Sequence, residues 1–320
     1  MIKTLQQLYQ EHQGKVSDKW SIYLAEYDQA LTFYRNQSIR LLEIGIQNGG
    51  SLEIWSKYFP NAVKLIGCDR NSGCRRLTYD NSIITVVVAD ANLDETEKII
   101  LDHAQTYTLI IDDGSHRSSD IVKSFARYFP HLEDGGLFVV EDLHCSYWQE
   151  FEGGIFDPYS SVAFFKRLAD IINHEHWGVA KSRKELLSGF ARKYGVSFNE
   201  EVLAHVHSVK FINSMCIISK AAMDQNQLGH RVIAGTHTQV EDVSNEFYEF
   251  CVSPDQTPNP FGAGCMQREE DILKLLSELA EQTRKLQEMD RQIRQLLSSR
   301  SWRITKPLRW ARSFFANLKK

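Results

Sequence analysis

The chain has 320 residues, 42% of them hydrophobic and 24% charged, with a net charge of −4. This balance leaves room for one large globular domain plus appendages, and it excludes a collagen-like, disulfide-scaffold or wholly disordered chain. No apolar run approaches the ~20 residues of a membrane-spanning helix, the first residues turn polar too soon for a signal peptide, and the acidic balance argues against nucleic acid as a partner. The six cysteines, at positions 68, 74, 145, 216, 251 and 265, show no metal-ligand spacing and are expected as reduced thiols of a cytoplasmic protein.

Residues 1–37 read as a helical, aromatic-rich segment, with Leu5, Leu8, Tyr9, Trp20, Tyr23, Leu24, Tyr27, Leu31 and Tyr34 at loose helical spacing. From 38 to 222, short β-rich apolar runs (39–46, 64–69, 83–90, 108–113 and 137–142) alternate with helical stretches, two of them expected over 162–173 and 184–194. Runs that are apolar almost throughout predict strands covered on both faces, and their alternation with helices predicts a parallel sheet. Two further runs, 206–212 and 215–220, are joined by Asn213-Ser214 and read as a hairpin that ends the sheet with an antiparallel strand. The predicted fold class is α/β: a Rossmann-like, mostly parallel sheet with helices on both faces.

Residues 223–266 are irregular, and 253–264 carry the prolines and glycines of a linker. In 267–299, Ile272, Leu279, Leu286 and Ile293 repeat every seven residues, with Leu275, Gln282, Met289 and Leu296 three positions later. That heptad seam predicts a coiled coil and a homo-oligomer; a single amphipathic helix lying on the body is the alternative. The tail, 300–320, holds seven cations and no acid, which leaves −11 for the other 299 residues. Interleaved with Trp302, Trp310, Phe314 and Phe315, these cations predict a helix lying in an anionic membrane surface, or one docking on a partner protein.

In an open α/β sheet, ligands bind beyond the carboxyl ends of the strands. The first strand carries Glu43 and runs into Gly45-Ile46-Gln47-Asn48-Gly49-Gly50-Ser51, while the second and third end in Asp69 and Asp90. Acids at three strand ends around one glycine loop suit S-adenosylmethionine, a cation without phosphate. The candidate cofactor contacts are Glu43, Gly45, Gln47, Asn48, Gly49, Ser51, Asp69, Asp90 and Asp112, the last also a candidate cap of the next helix. The G-x-G-x-x-G spacing of a nicotinamide dehydrogenase is not met. The fourth strand ends Asp112-Asp113-Gly114-Ser115-His116 and the fifth Glu141-Asp142-Leu143-His144. Four carboxylates on one rim require a neutralising cation, and oxygen ligands favour magnesium, manganese or calcium.

Leu42-Glu43-Ile44-Gly45, Asp112-Asp113-Gly114-Ser115-His116 and Glu141-Asp142-Leu143-His144-Cys145-Ser146-Tyr147-Trp148 resemble the magnesium-dependent sugar O-methyltransferases of macrolide biosynthesis, the mycinamicin and macrocin type of class I methyltransferases. The resemblance spans residues 38 to 150. It implies Asp113, Glu141 and Asp142 as metal ligands and His116 as general base, with Cys145 standing where a threonine is expected. His144 is a rival base or a substrate ligand, and Tyr147 and Trp148 are either a stacking wall for a sugar ring or core. The implied acceptor is a sugar hydroxyl. Residues 301–309 are similar to tails of bacterial surface-polysaccharide enzymes, which points to an O-antigen or capsule sugar and to the inner face of the cytoplasmic membrane. A small glycosylated secondary metabolite is the alternative acceptor, and a non-catalytic assembly scaffold the alternative function.

Overall fold

In the computed structural model, which describes residues 3–237, 239–240, 252–263, 265–299, 302, 304 and 305, the apolar runs become strands. β1 (Arg40–Ile44), β2 (Lys64–Cys68), β3 (Ile84–Val87), β4 (Tyr107–Asp112), β5 (Leu132–Val140), β6 (Val206–Ile212) and β7 (Met215–Lys220) form one sheet in the order β3-β2-β1-β4-β5-β7-β6. β1 to β5 run parallel, and β7 pairs antiparallel with both β5 and β6. The antiparallel strand therefore lies inside the sheet, and its hairpin partner β6 takes the edge. His207, Ser208 and Lys210 are exposed along that edge, where polar side chains discourage pairing with another sheet.

Alternating residues of the buried strands feed two cores. On one face Leu41, Leu109 and Val139 pack with Leu5 of α1 (Leu5–Gln10), with Tyr23, Tyr27 and Leu31 of α2 (Ser21–Leu31), and with Ile54 and Trp55 of α3 (Gly50–Tyr58). Beyond α4 (Asp94–His103), the other face is covered by α5 (Ser118–Tyr128) and α6 (Ser161–Ile172). There Phe125 stands edge-on to Phe138 at 5.4 Å and to Phe164 at 5.2 Å between ring centroids.

Three local expectations need correction. The first 37 residues are not helical throughout: between α1 and α2, residues 11–20 cross as a strap over the loop after β1. The Gly50 N–H donates to the Val16 carbonyl at 3.2 Å, and Lys15 pairs with Glu53 at 2.5 Å. A Cβ on Gly50 would lie 2.0 Å from the Lys15 carbonyl oxygen, so the strap's approach requires glycine there. Second, the helix expected over 184–194 is two, α7 (Arg183–Leu186) and α8 (Ser188–Tyr194), because the wholly buried Leu187 turns the chain inward at ψ 6°; α9 (Glu200–Leu203) follows. Third, β5 starts at Leu132, its register against β4 shifting across a stretch where Gly135 adopts φ +81°.

The chain divides into two compact units, Met1–Gly262 and Ala263–Lys320. Within the linker Pro260 opens the short α10 (Pro260–Ala263). In the second unit α11 (Cys265–Ser298) is a single helix of 34 residues whose heptad positions Leu279 and Leu286 are 61% and 66% exposed. The basic tail lies outside the described residues apart from 302, 304 and 305. Cys68, Cys74, Cys145 and Cys216 are buried free thiols, and no described helix is long and apolar enough to cross a membrane.

Candidate active site

The sheet register brings the strand ends together. Ile44 pairs with Asp112 and Asp112 with Val140, and the ladder continues as Asp113 N–H to Ile44 O (2.8 Å) and Glu141 N–H to Asp112 O (2.9 Å). Gly45, Asp113 and Glu141 therefore leave the sheet side by side. Gly45 adopts φ +86°, and a Cβ there would meet the Asp113 carbonyl oxygen at 2.0 Å, so no other residue fits. Asp69 pins the glycine loop, its Oδ2 accepting from the N–H groups of Ile46 (3.1 Å) and Gln47 (2.9 Å).

Two adjoining cavities share Gly45, Asp69 and Gly114. The inner one, about 130 Å³, is bounded by Asp90, Asp112 and Asp120 as well. The outer one, about 440 Å³, is lined among others by Glu43, Gln47, Ser51, Asp113, His116 and Asp142. Ser51 donates its hydroxyl proton to Glu43 Oε2 at 2.7 Å, Gly49 accepts from the Tyr79 hydroxyl at 2.9 Å, and the exposed Asn48 leans on Gln47 at 3.4 Å. Asp112 does not cap the next helix, whose N-cap position is Arg117. Its carboxyl faces the inner cavity, pushed up to about 7 by burial, although Ser124 and the Gly114 N–H pull the other way.

On the outer cavity Asp113, His116 and Asp142 converge, one ligand atom of each lying within 4.8 Å of the others. His116 Nε2 is 3.7 Å from Asp142 Oδ2. His116 and Asp142 adopt φ +58° and +56°, and Gln47 in the loop +47°. Non-glycine residues rarely take this left-handed backbone, and such strain clusters at working sites. Glu141, adjacent to Asp142, is 2% exposed and lines the same cavity. Its Oε1 accepts from the Tyr27 hydroxyl at 2.6 Å and from Lys19 at 2.8 Å.

Lys19 is the residue that sequence reasoning missed. Its side chain is 3% exposed, and Nζ lies 2.5 Å from Asp113 Oδ2, 2.8 Å from Glu141 Oε1 and 3.9 Å from Glu43 Oε1. Burial alone would lower its pKa, but the charges of Glu141, Asp113 and Glu43 outweigh that and hold it well above the usual lysine value. Burial raises Glu43 and Asp113 in turn, against the pull of Lys19. Trp20 Nε1 and the Tyr23 hydroxyl donate to Asp142 Oδ1 at 2.9 and 3.0 Å. The four-residue spacing of Tyr23 and Tyr27 signals a shared helix face, but nothing local shows that their hydroxyls end at a carboxylate rim.

His144 Nδ1 lies 2.5 Å from the Ser214 hydroxyl and 4.0 Å from Asp142 Oδ1. Its ring stands edge-on between Trp20 (6.0 Å) and Trp148 (5.0 Å), and Phe151 continues the arc at 6.0 Å from Trp148 and 6.4 Å from His116. Tyr147 and Trp148 are 46% and 49% exposed, which removes the core reading; Trp148 belongs to the aromatic arc, and neither residue is among those lining the two cavities.

A parallel sheet with an antiparallel β7 beside β5, and a ligand crevice at its carboxyl edge, is the Rossmann-like methyltransferase fold. Among solved structures the chain is similar to the MycE methyltransferase from the mycinamycin biosynthetic pathway in complex with Mg, SAH and mycinamycin VI. The identity is 26% and the TM-score 0.57, over 70% of this chain and 55% of that one. Among curated proteins it is 36% identical over 171 residues to the 8-demethyl-8-alpha-L-rhamnosyl tetracenomycin-C 2′-O-methyltransferase of Streptomyces olivaceus (50% of this chain, 44% of that protein). It is 34% identical over 202 residues to the mycinamicin VI 2″-O-methyltransferase of Micromonospora griseorubida (59% and 47%). The chain thus spans about half the length of the curated relatives it matches. No protein-family model matches.

Proposed function

We propose that this chain is an O-methyltransferase dependent on S-adenosylmethionine and a divalent metal, acting on a sugar hydroxyl of a glycosylated small metabolite. The observation that carries the reading is the convergence of Asp113, His116 and Asp142 within 4.8 Å, in a cavity that adjoins the glycine loop and its flanking acids. The relatives named above, O-methyltransferases by name and one of them of a rhamnosyl compound, and the MycE complex with Mg and SAH support it.

The residues fit both groups. Carboxylates at the rim are the hard oxygen donors that magnesium or manganese takes, and the acids of the inner cavity suit a cationic cofactor without phosphate. In this reading Asp69 and Asp90 accept from the ribose hydroxyls and the adenine amino group, with Asp112 on the cavity wall. Glu43, Gly45, Gln47 and Ser51, which line the outer cavity, would enclose the methionine end, whereas Asn48 and Gly49 line neither cavity. Asp113, Glu141 and Asp142 would hold the metal, of which Asp113 and Asp142 belong with His116 to the convergent group and Glu141 lines the same cavity. The ion, when bound, acidifies the acceptor hydroxyl. His116 takes the hydroxyl proton, and the aromatic arc of Trp20, His144, Trp148 and Phe151 offers ring faces to the sugar. Holding both reactants in one geometry supplies much of the rate.

The surface-polysaccharide acceptor and the anionic membrane surface rest on a tail that lies outside the described residues apart from 302, 304 and 305, and no relative named above carries either in its name. The exposed heptad seam of α11 fits a coiled coil between copies of this chain. Incubating labelled S-adenosylmethionine with rhamnosyl and olivosyl glycosides tests the activity. Transfer should require magnesium, stop with a chelator and return when the metal is restored; transfer indifferent to chelation would contradict the metal role.

A further inference from the structure

Each acid of the rim offers one oxygen to the segment that precedes the sheet. Lys19 takes Asp113 Oδ2 and Glu141 Oε1, Tyr27 takes the same Glu141 oxygen, and Trp20 and Tyr23 take Asp142 Oδ1. Among the described residues the opposite oxygens accept no hydrogen bond, and all three acids line the outer cavity. An ammonium has three donors and no lone pair, so Lys19 cannot ligate a metal; it is a cation already built into the rim.

We infer that Lys19 is a positioning residue: a built-in cation that withholds one oxygen each of Asp113 and Glu141 from the divalent ion and so keeps coordination positions open for the acceptor. The inference rests on the metal-dependent reading above. A carboxylate with both oxygens free can clamp a cation bidentately, and several clustered together would close its coordination sphere. Catalytic metal sites need an open position. Tyrosine or tryptophan donors, as at Asp142, could shield an oxygen as well. Only an ammonium also offsets the repulsion between Asp113 and Glu141, and its like charge beside the ion keeps the ion from binding too tightly. Its burial, at 3% exposure, removes the solvent screening that would weaken all of these effects.

Manganese chloride alone, titrated into the full chain and into Lys19→Met, Lys19→Gln and Lys19→Arg, tests this. Electron paramagnetic resonance reads the free ion, and water-proton relaxation reads the waters left on the bound ion. Lys19→Met should bind manganese about tenfold more tightly, from the lost like charge, with lower relaxation enhancement because fewer waters remain. Lys19→Arg should stay near the parent. Lys19→Gln keeps a donor in the same space and loses the charge, so it carries the test if Lys19→Met does not fold; a thermal melt decides which is used. A folded neutral variant with unchanged or weaker affinity and unchanged relaxation would overturn the inference and leave Lys19 a structural ion pair. Absence of manganese binding in the parent chain would instead overturn the metal-dependent reading, and this inference with it.

Discussion

Replacing Asp113 by alanine is expected to abolish methyl transfer and metal binding together while S-adenosylmethionine still binds. Asp113 leaves β4 between Gly45 and Glu141 and belongs both to the convergent group with His116 and Asp142 and to the Lys19 cluster. As a direct ligand its loss should weaken the metal by more than the roughly 10–100-fold typical of groups one layer further out. The variant also deprives a buried ammonium of its shortest partner. Breaking a buried pair costs about 3–5 kcal/mol, and the low end applies because Glu141 still pairs with Lys19 and Asp113 is 23% exposed. Separate calorimetric titrations of metal and cofactor, with a thermal melt, check this. Equal loss of both ligands would make Asp113 a structural residue.

Replacing His116 should lower kcat by about 10²- to 10⁴-fold, the usual contribution of a positioned general base, with metal affinity little changed. The backbone complicates the alanine variant, because His116 sits at φ +58°. Asparagine tolerates that conformation better, so His116→Asn removes the imidazole with less strain. Single-turnover kinetics alongside a manganese titration separate two roles. A base leaves the titration unchanged, whereas a ligand loses metal and turnover in parallel. Retained turnover would pass the proton to another group, of which His144 is the nearest imidazole on the rim, 4.0 Å from Asp142.

The parallel strands were legible because their apolar runs are continuous, as in Tyr107–Asp112, buried at every position, and because their carboxyl ends carry their acids in sequence; their order in the sheet was not. Asp113, His116 and Asp142 share a rim for the same reason, since parallel neighbours deliver their next residues to one edge. What local pattern cannot encode is the other half of the site. Lys19 meets Asp113 across 94 residues, Tyr27 meets Glu141 across 114 and Trp20 meets Asp142 across 122. A single lysine before an amphipathic helix has no periodic signature, and the strap that carries it is shaped by tertiary packing on Gly50 rather than by propensity. The place of β7 inside the sheet was hidden similarly: a hairpin signal gives the pairing of β6 with β7, but not which of the two meets β5.

Titration calorimetry of S-adenosylmethionine into the full chain, with and without magnesium, tests most directly whether the crevice at the carboxyl edge of the sheet is a methyltransferase site. Saturable binding is predicted in both conditions, because the inner cavity is bounded by Asp69, Asp90, Asp112 and Asp120, none of which belongs to the convergent group of Asp113, His116 and Asp142. No binding in either condition would contradict the methyltransferase reading, empty the roles given to Glu43, Asp69 and Asp90, and favour a scaffold organised by α11.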